Sequence, residues 1–458
     1  MHRIKIELYL ILLVTTFACN PKLYKPQVTI PTEYSSIAGV YSDTINMDSQ
    51  WWRLFNDPYL DTLQSQALKA NRDIKSAMSN IVEAYYAMKG VRSEHYPTLG
   101  FDLDVNLEDE PPEGRLNSIV LGSSISWQLP LSALWREQNR EAQAELMAAD
   151  WAAYGMRLTV AADVAQMYYN LAGYRDQHTI ACRTYELRRS SEALIDSMYH
   201  HGFSSLTDVE RARVLTSEAA ANIATLSESM ATTEHAIAVL ISDTPSSHTH
   251  ITTISTLSAD ALPPDIAIGQ PVDLLFRRPD IMQARREMDA ASARVGVARA
   301  NRFPSLSFSG TGDIYGSSIK EFFRLDQLVW SAASSLITPV LGFGRLKRTE
   351  KQYIEQYRQA VYAYEKCITE AFEDVENALS AIEARRKELD AAQRMVEASS
   401  QALYLSQALY KGGMSSISDY IDAERDAYSA QMQLSQSIVS LYEAYINLIE
   451  AIGGGWQP

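Results

Sequence analysis

Apolar and polar positions alternate without a fault from Leu99 to Glu108. Leu99, Phe101, Leu103, Val105 and Leu107 stand against Gly100, Asp102, Asp104, Asn106 and Glu108. A period of two is that of a strand with one apolar and one polar face. A second alternating set, Ile119, Leu121, Ser123, Ile125, Trp127 and Leu129, follows the charged stretch Asp109–Asn117, which reads as a connecting loop. Strands are expected at 97–108 and 118–130, each with about the 9–11 residues that cross a bilayer at a barrel tilt. Tyr96 and Trp127 lie near their ends. Two serine-rich segments, 304–314 and 327–341, read as further strands with less regular alternation. Four strands cannot close a barrel, which takes about eight. Several chains would have to contribute, the alternative being a soluble four-stranded sheet.

Elsewhere the period changes to that of a helix. From Leu134 to Tyr199 and from Arg345 to Tyr410 there is no proline and little glycine. Apolar residues recur there at spacings of three and four, as in Ala161, Val164, Tyr168, Leu171 and in Phe372, Val375, Leu379, Ile382. At 1.5 Å per residue, roughly 66 residues make a rod of about 100 Å. Each rod is followed by a glycine-containing turn and a returning helix of about half that length, ending near Ile241 and Ile452. Such narrow apolar stripes need partner helices. A dimerising coiled-coil rod would explain this feature alone.

The chain also repeats itself. Asp73-Ile74 and Asp280-Ile281 each open a helical pattern that ends in a proline 24 residues after its Asp, at Pro97 and Pro304. Further along, Asp163 matches Asp374, Tyr199 matches Tyr410, Gly202 matches Gly413, Ser204-Ser205 matches Ser415-Ser416 and Asp208 matches Asp419, all at an offset of 211 residues. Two copies of one unit are therefore expected, 51–242 and 270–453, joined by a Pro- and Ser/Thr-rich linker at 243–269 and followed by a tail at 454–458.

Composition narrows the function. The 458 residues carry a net charge of -15, which argues against a nucleic-acid partner. Met1 to Phe17 pairs a basic start with an apolar run too short to span a bilayer, followed by Ala18-Cys19. This layout resembles a bacterial lipoprotein signal, with residues 1–18 as signal peptide, Cys19 acylated and 19–50 a lipid-anchored segment. Any membrane crossing by the mature chain then falls to strands. Three cysteines make neither a disulfide framework nor a thiolate zinc site. Cys182 and Cys367 fall within helices and read as buried small residues. His200-His201 lacks carboxylate or thiolate ligands at suitable spacing, so no metal, no cofactor and no catalytic constellation is expected.

Four motifs stand out: Trp52, Phe55, Asp57-Pro58 and Leu60; Leu274-Leu275-Phe276-Arg277-Arg278-Pro279-Asp280-Ile281, continuing to Phe303-Pro304-Ser305; Pro339-Val340-Leu341-Gly342-Phe343-Gly344-Arg345; and Ala451-Ile452-Gly453-Gly454-Gly455-Trp456. With these motifs in this order the chain resembles the bacterial outer-membrane efflux proteins, the TolC-like channels, and specifically the lipoprotein branch that serves RND-type multidrug pumps. Around Leu129-Pro130-Leu131-Ser132 the chain departs from the family's usual acidic residue and Gly-Arg pair. The resemblance implies a mostly α protein with membrane β. It would be a homotrimer in outer-membrane lipid with a twelve-stranded β-barrel continued by a periplasmic α-helical barrel. Its partners would be a periplasmic adaptor and an inner-membrane RND pump. The alternative within channels is the exit duct of a type I protein-secretion system.

A passive duct needs a gate and a docking surface rather than a catalytic set. Asp419 and Asp422 lie three apart on a returning helix, so both face one side. Threefold symmetry would gather six carboxylates, with Tyr410 and Lys411 across the turn as the nearest partners. The resemblance implies that Tyr410, Asp419 and Asp422 form the closed constriction. Asp419 is also well placed as a plain helix cap. Gly202, Ser204, Ser205 and Asp208, with Gly413, Ser415 and Ser416 in the second copy, are expected to dock adaptor hairpins. The Arg277-Arg278-Pro279-Asp280 run reads as a helix start, with proline at its first position.

Overall fold

The computed structural model describes residues 23–28, 30–31, 34, 50–110, 114–246, 251–253, 271–316, 328–339 and 342–455. In chain order the main elements are helix α1 (Pro58–Ala70), α2 (Arg72–Ser93), strands β1 (Thr98–Glu110) and β2 (Gly114–Pro130), α3 (Leu134–His200), α4 (Leu206–Leu240), α5 (Pro279–Ala300), β3 (Ser305–Gly316), β4 (Leu328–Ile337), α6 (Arg345–Lys411) and α7 (Ile417–Ala451). The chain divides into two compact units, one built on residues 1–28, 91–141 and 287–365, the other on 29–90, 142–286 and 366–458.

The first unit holds a four-stranded sheet in the order β1-β2-β3-β4, antiparallel throughout. Register sorts its side chains by face. Leu103 pairs with Leu121 and Leu121 with Ile314, while Trp127 pairs with Phe308. Asp102 pairs with Gly122 and Gly122 with Asp313, so the acidic residues share the other face. The apolar face is bare: Phe101 is 72% and Trp330 74% exposed. A contiguous apolar surface of this kind marks a membrane or partner contact. β2 begins at Gly114, so the expected Asp109–Asn117 loop is shorter than its charge pattern suggested. The backbone register runs on through this stretch, with Asp109 opposite Arg115. β4 ends at Ile337, two residues before Pro339, which has no N–H to give a ladder. Near the sheet, Arg294 pairs with Glu141 at 2.8 Å and Arg302 with Glu350. The Tyr357 hydroxyl donates to the Tyr24 carbonyl at 2.9 Å, holding residues 23–28 against α5 and α6.

The second unit contains the main core. Val164, Tyr168 and Leu171 of α3 and Val375 and Leu379 of α6 are buried, as the helical spacing demands. Trp51, Trp52 and Phe55 pack on the same core, where Tyr169 stacks on Tyr442 at 4.2 Å. Buried Asp57 caps α1 through the amides of Tyr59 and Leu60 and accepts from the Tyr168 hydroxyl at 2.6 Å, which gives the Trp-Phe-Asp-Pro motif a structural role. Ile251 of the linker joins this core, and Thr253 accepts from Arg175. Cys182 and Cys367 are half-buried rather than buried. Burial pushes the Cys367 thiol up to about 12. No helix among the described residues is long and apolar enough to cross a membrane.

α3 and α7 are joined by a polar seam. Thr159 donates to Glu450, Gln166 to Asn447 and Asn170 to Glu443. Further along, Gln177 donates to Gln436, Arg188 to Glu424, and Ser191 meets the Tyr420 hydroxyl.

Candidate functional site: the two helix turns

α3 and α6 both span 67 residues, and α4 and α7 both span 35. The turns between them are built alike. Gly202 and Gly413 take φ of 81° and 72°, where glycine avoids the Cβ penalty. The amides of Gly202 and Phe203 return to the Tyr199 and Met198 carbonyls, and those of Gly413 and Met414 to Tyr410 and Leu409. This pair of bonds closes each helix with a glycine-centred C-cap. The next helix opens on a capping box: Ser205 Oγ accepts from the Asp208 amide and Asp208 accepts from the Ser205 amide, both at 3.2 Å. Ser416 and Asp419 repeat it at 3.2 and 3.1 Å. The hydrogen bonds from Ser205, helped by Ser204 and the charge of Arg211, outweigh the opposing effect of burial and hold the Asp208 carboxyl below the usual carboxylate range.

The two turns meet in a small apolar cluster of Ile195, Val209 and Ala212 with Ile417 and Tyr420. Tyr410 stacks on Tyr420 at 5.9 Å, and its hydroxyl donates toward Met198 Sδ at 3.7 Å. Within one chain Tyr410 is thus engaged with Tyr420 and Met198 across the turn. Burial, with the charge of Asp208 adding to it, pushes its hydroxyl up. Asp419 is used in its cap, and Asp422 pairs with Arg425 at 3.4 Å. Both, like Lys411, are exposed. At the tips Phe203 and Met414 are 79% and 74% exposed, and Ser415 Oγ is buried with no hydrogen bond among the described residues. His200 and His201 lie exposed at the first turn. No group of three metal-ligating side chains occurs among the described residues. Cys19, expected to carry lipid, lies outside the described residues.

One feature of this region had no readable sequence signal. Arg188, on α3, is almost fully buried. It donates to Glu424 of α7 at 3.0 Å and to the Leu215 carbonyl of α4 at 3.0 Å, with its guanidinium over the Tyr428 ring. An arginine amid neighbouring charges on a long helix reads as solvated surface, and its partner lies 236 residues away.

A bare-faced four-stranded sheet and paired helical hairpins within one chain suit an outer-membrane channel subunit, and the comparisons agree. The outer membrane efflux protein family matches the chain over residues 63–242 and 271–454, and the chain belongs to that family. It is 31% identical over 413 residues to the solvent efflux pump outer membrane protein SrpC of Pseudomonas putida, covering 88% of this chain and 87% of SrpC. The cation efflux system protein CusC of Escherichia coli is 26% identical over 453 residues, 97% of either chain. Among solved structures, the outer-membrane channel OprN superposes with a TM-score of 0.84 at 27% identity, covering 96% of this chain and all of OprN. These relatives are channel proteins, not enzymes. Efflux, rather than protein secretion or a non-pore rod, is the reading they support.

Proposed function

We propose that three copies of this chain assemble in the bacterial outer membrane as the exit duct of a tripartite efflux system. Each gives four strands to a twelve-stranded barrel, with the long helices forming a periplasmic tunnel. The single observation that supports this most directly is the sheet. Its apolar face is exposed and its outer strands β1 and β4 each pair on one side only. Lipid satisfies the face, and neighbouring copies satisfy the edges, because no strand edge survives unpaired in a bilayer. In this reading residues 51–242 and 270–453 are two copies of one unit, and Cys19 carries the lipid anchor. Asp419 and Asp422, with Tyr410 and Lys411 nearby, set the closed gate. The turns carrying Gly202, Ser204, Ser205 and Asp208 and Gly413, Ser415 and Ser416 receive a periplasmic adaptor. Cargo comes from an inner-membrane RND pump, since the duct has no energy source of its own.

Electron microscopy of the detergent-extracted protein, with its mass, tests the reading. A threefold particle with a tube on the order of 100 Å below a micelle-sized barrel is expected. A monomer, or a rod without a micelle, would overturn it.

A further inference from the structure

All four strands meet the helices at one end of the sheet. The register sets Thr98 opposite Ser126, Pro130 opposite Ser305 and Ser305 opposite Ile337, so the ends of α2 and α5 and the starts of α3 and α6 gather there. Positive charge is concentrated at this end. Residues 91–97, 131–141, 294–304 and 342–351 hold ten arginines and lysines against four glutamates, a net charge of +6 on a chain of net -15. At the opposite end, residues 108–117 hold four acidic residues against one arginine. Three of the four glutamates are already used: Glu137 pairs with Arg136 and Arg140, Glu141 with Arg294, and Glu350 with Arg302. Arg92, Arg345, Lys347, Arg348 and Lys351 are exposed and form no ion pair among the described residues. The first turn of α6 holds no acidic residue. Positive charge at a helix start opposes the helix dipole, so these cations do not serve the helix itself. Beside them Phe343 takes a φ of 45°, strained for a bulky residue, yet its ring is 91% exposed. Tyr96, at the same end, is 70% exposed. Exposed rings beside clustered cations form a surface suited to a lipid–water boundary.

From this juxtaposition, and resting on the outer-membrane reading above, we infer that the basic end of the sheet binds the anionic headgroups of the phospholipid leaflet that faces the periplasm. The bare apolar face then lies against acyl chains, Phe343 and Tyr96 at headgroup level, and the unpaired cations against phosphate. Leu336 and Ile337, each 54% exposed, bring the apolar surface up to the end where the cations begin. A partner that meets one therefore meets the other, and an acyl chain joined to a phosphate presents both in that order. Each cation near an anionic membrane surface strengthens attachment about fivefold, an effect that salt screens. The acidic opposite end is repelled by the same lipid, so the asymmetry favours one orientation of the sheet across the bilayer.

Native mass spectrometry of the full-length, detergent-extracted protein, titrated with phosphatidylglycerol or phosphatidylcholine, tests the contact. The trimer is expected to retain phosphatidylglycerol over phosphatidylcholine, and less so as salt rises. Arg345→Gln, Lys347→Gln, Arg348→Gln and Lys351→Gln in combination should lower the phosphatidylglycerol affinity at least about tenfold and leave that for phosphatidylcholine unchanged. Arg345→Lys with Arg348→Lys keeps the charge and should keep the preference. Arg385→Gln with Lys387→Gln, further along α6, removes charge elsewhere and should also keep it. Trimers of the native protein that bind both lipids equally, or an unchanged preference in the fourfold glutamine variant, overturn the headgroup contact and leave the trimer standing. Loss of the bound lipid to inorganic phosphate at matched ionic strength also overturns it, in favour of a free-anion site. A native protein that is monomeric overturns both the contact and the reading on which it rests.

Discussion

Arg278 donates to the backbone carbonyl of Ala451 at 2.9 Å, fastening the start of α5 to the end of α7 across 173 residues of sequence. Asn71 makes the corresponding bond in the first half of the chain, to the Leu240 carbonyl at 2.9 Å. Leu240 and Ala451 are themselves separated by the 211-residue offset. A helix's last carbonyls lack intrahelical partners, so both residues cap the returning helix of their own half. Arg278 alone adds charge, binding Asp280 and Asp374 at 2.8 Å each.

Arg278→Met is therefore expected to cost about 2 kcal/mol, below the value for a fully buried pair because both aspartates are half exposed. Urea unfolding of the detergent-solubilised protein measures it, and Arg278→Lys should fall between the two. The effect depends on pH. Burial raises the Asp280 carboxyl, but the hydrogen bonds and charge of Arg278 outweigh it and hold it below its ordinary value. A group lowered by folding stabilises above its unfolded pKa, about 4 for aspartate, and that contribution disappears as pH falls through the folded value. The native protein should lose stability below about pH 4 with a steeper slope than Arg278→Met.

The buried Arg188–Glu424 pair joins α3 to α7 and should behave differently from the exposed i,i+4 pairs such as Lys387–Glu383. Glu424→Leu leaves a buried guanidinium with the Leu215 carbonyl, the Tyr428 ring and the more distant Glu218 at 3.7 Å but without its close carboxylate, a loss of about 3 kcal/mol. Arg188→Met combined with Glu424→Leu should recover most of that loss, whereas Lys387→Ala should leave the stability close to that of the unsubstituted protein. Equal losses in the single and double variants would show that the pair is not the unit that matters.

What could be read from the sequence followed the range of each signal. Alternation in β1 and the three-four spacing of α3 and α6 are local, and the side chains they sort, such as Leu103 and Asp102 or Val164 and Tyr168, fall as the period requires. The charged residues Asp109 and Arg115 misled the loop assignment, because charge suggests solvent but does not prevent strand pairing. Asp419 carried both a gate and a cap reading; the cap is made within one chain, whereas a gate requires neighbouring copies. Arg278 was legible as a helix start, but its reach to Ala451 and Asp374 was not, since contacts over 90 or more residues leave no periodic trace.

The two faces of β1 give adjacent residues opposite roles. Phe101 lies on the bare apolar face and Asp102 on the polar one. Phe101→Arg should place a charge against lipid at a cost of about 2–4 kcal/mol near the bilayer midplane. The yield of trimer in the outer-membrane fraction should fall. Asp102→Asn should leave that yield unchanged and shift the cation preference of the reconstituted channel. Equal yields for both variants would mean that the apolar face does not meet lipid.

The gate requires variants that separate charge from capping. Asp419→Asn keeps an oxygen able to accept from the Ser416 amide, so Asp419→Asn with Asp422→Asn removes six charges from a trimer while leaving the cap nearly intact. Ser416→Ala does the reverse, losing about 1 kcal/mol of cap while keeping every carboxylate. If the carboxylates set the closed state, the double Asn variant should raise the resting single-channel conductance in planar bilayers. A shift of about 1.4 kcal/mol in the closed–open balance corresponds to tenfold. Ser416→Ala should change conductance far less. Closed currents unchanged in the double variant, measured on trimers of verified mass, would remove Asp419 and Asp422 from the gate and leave Asp419 as a helix cap.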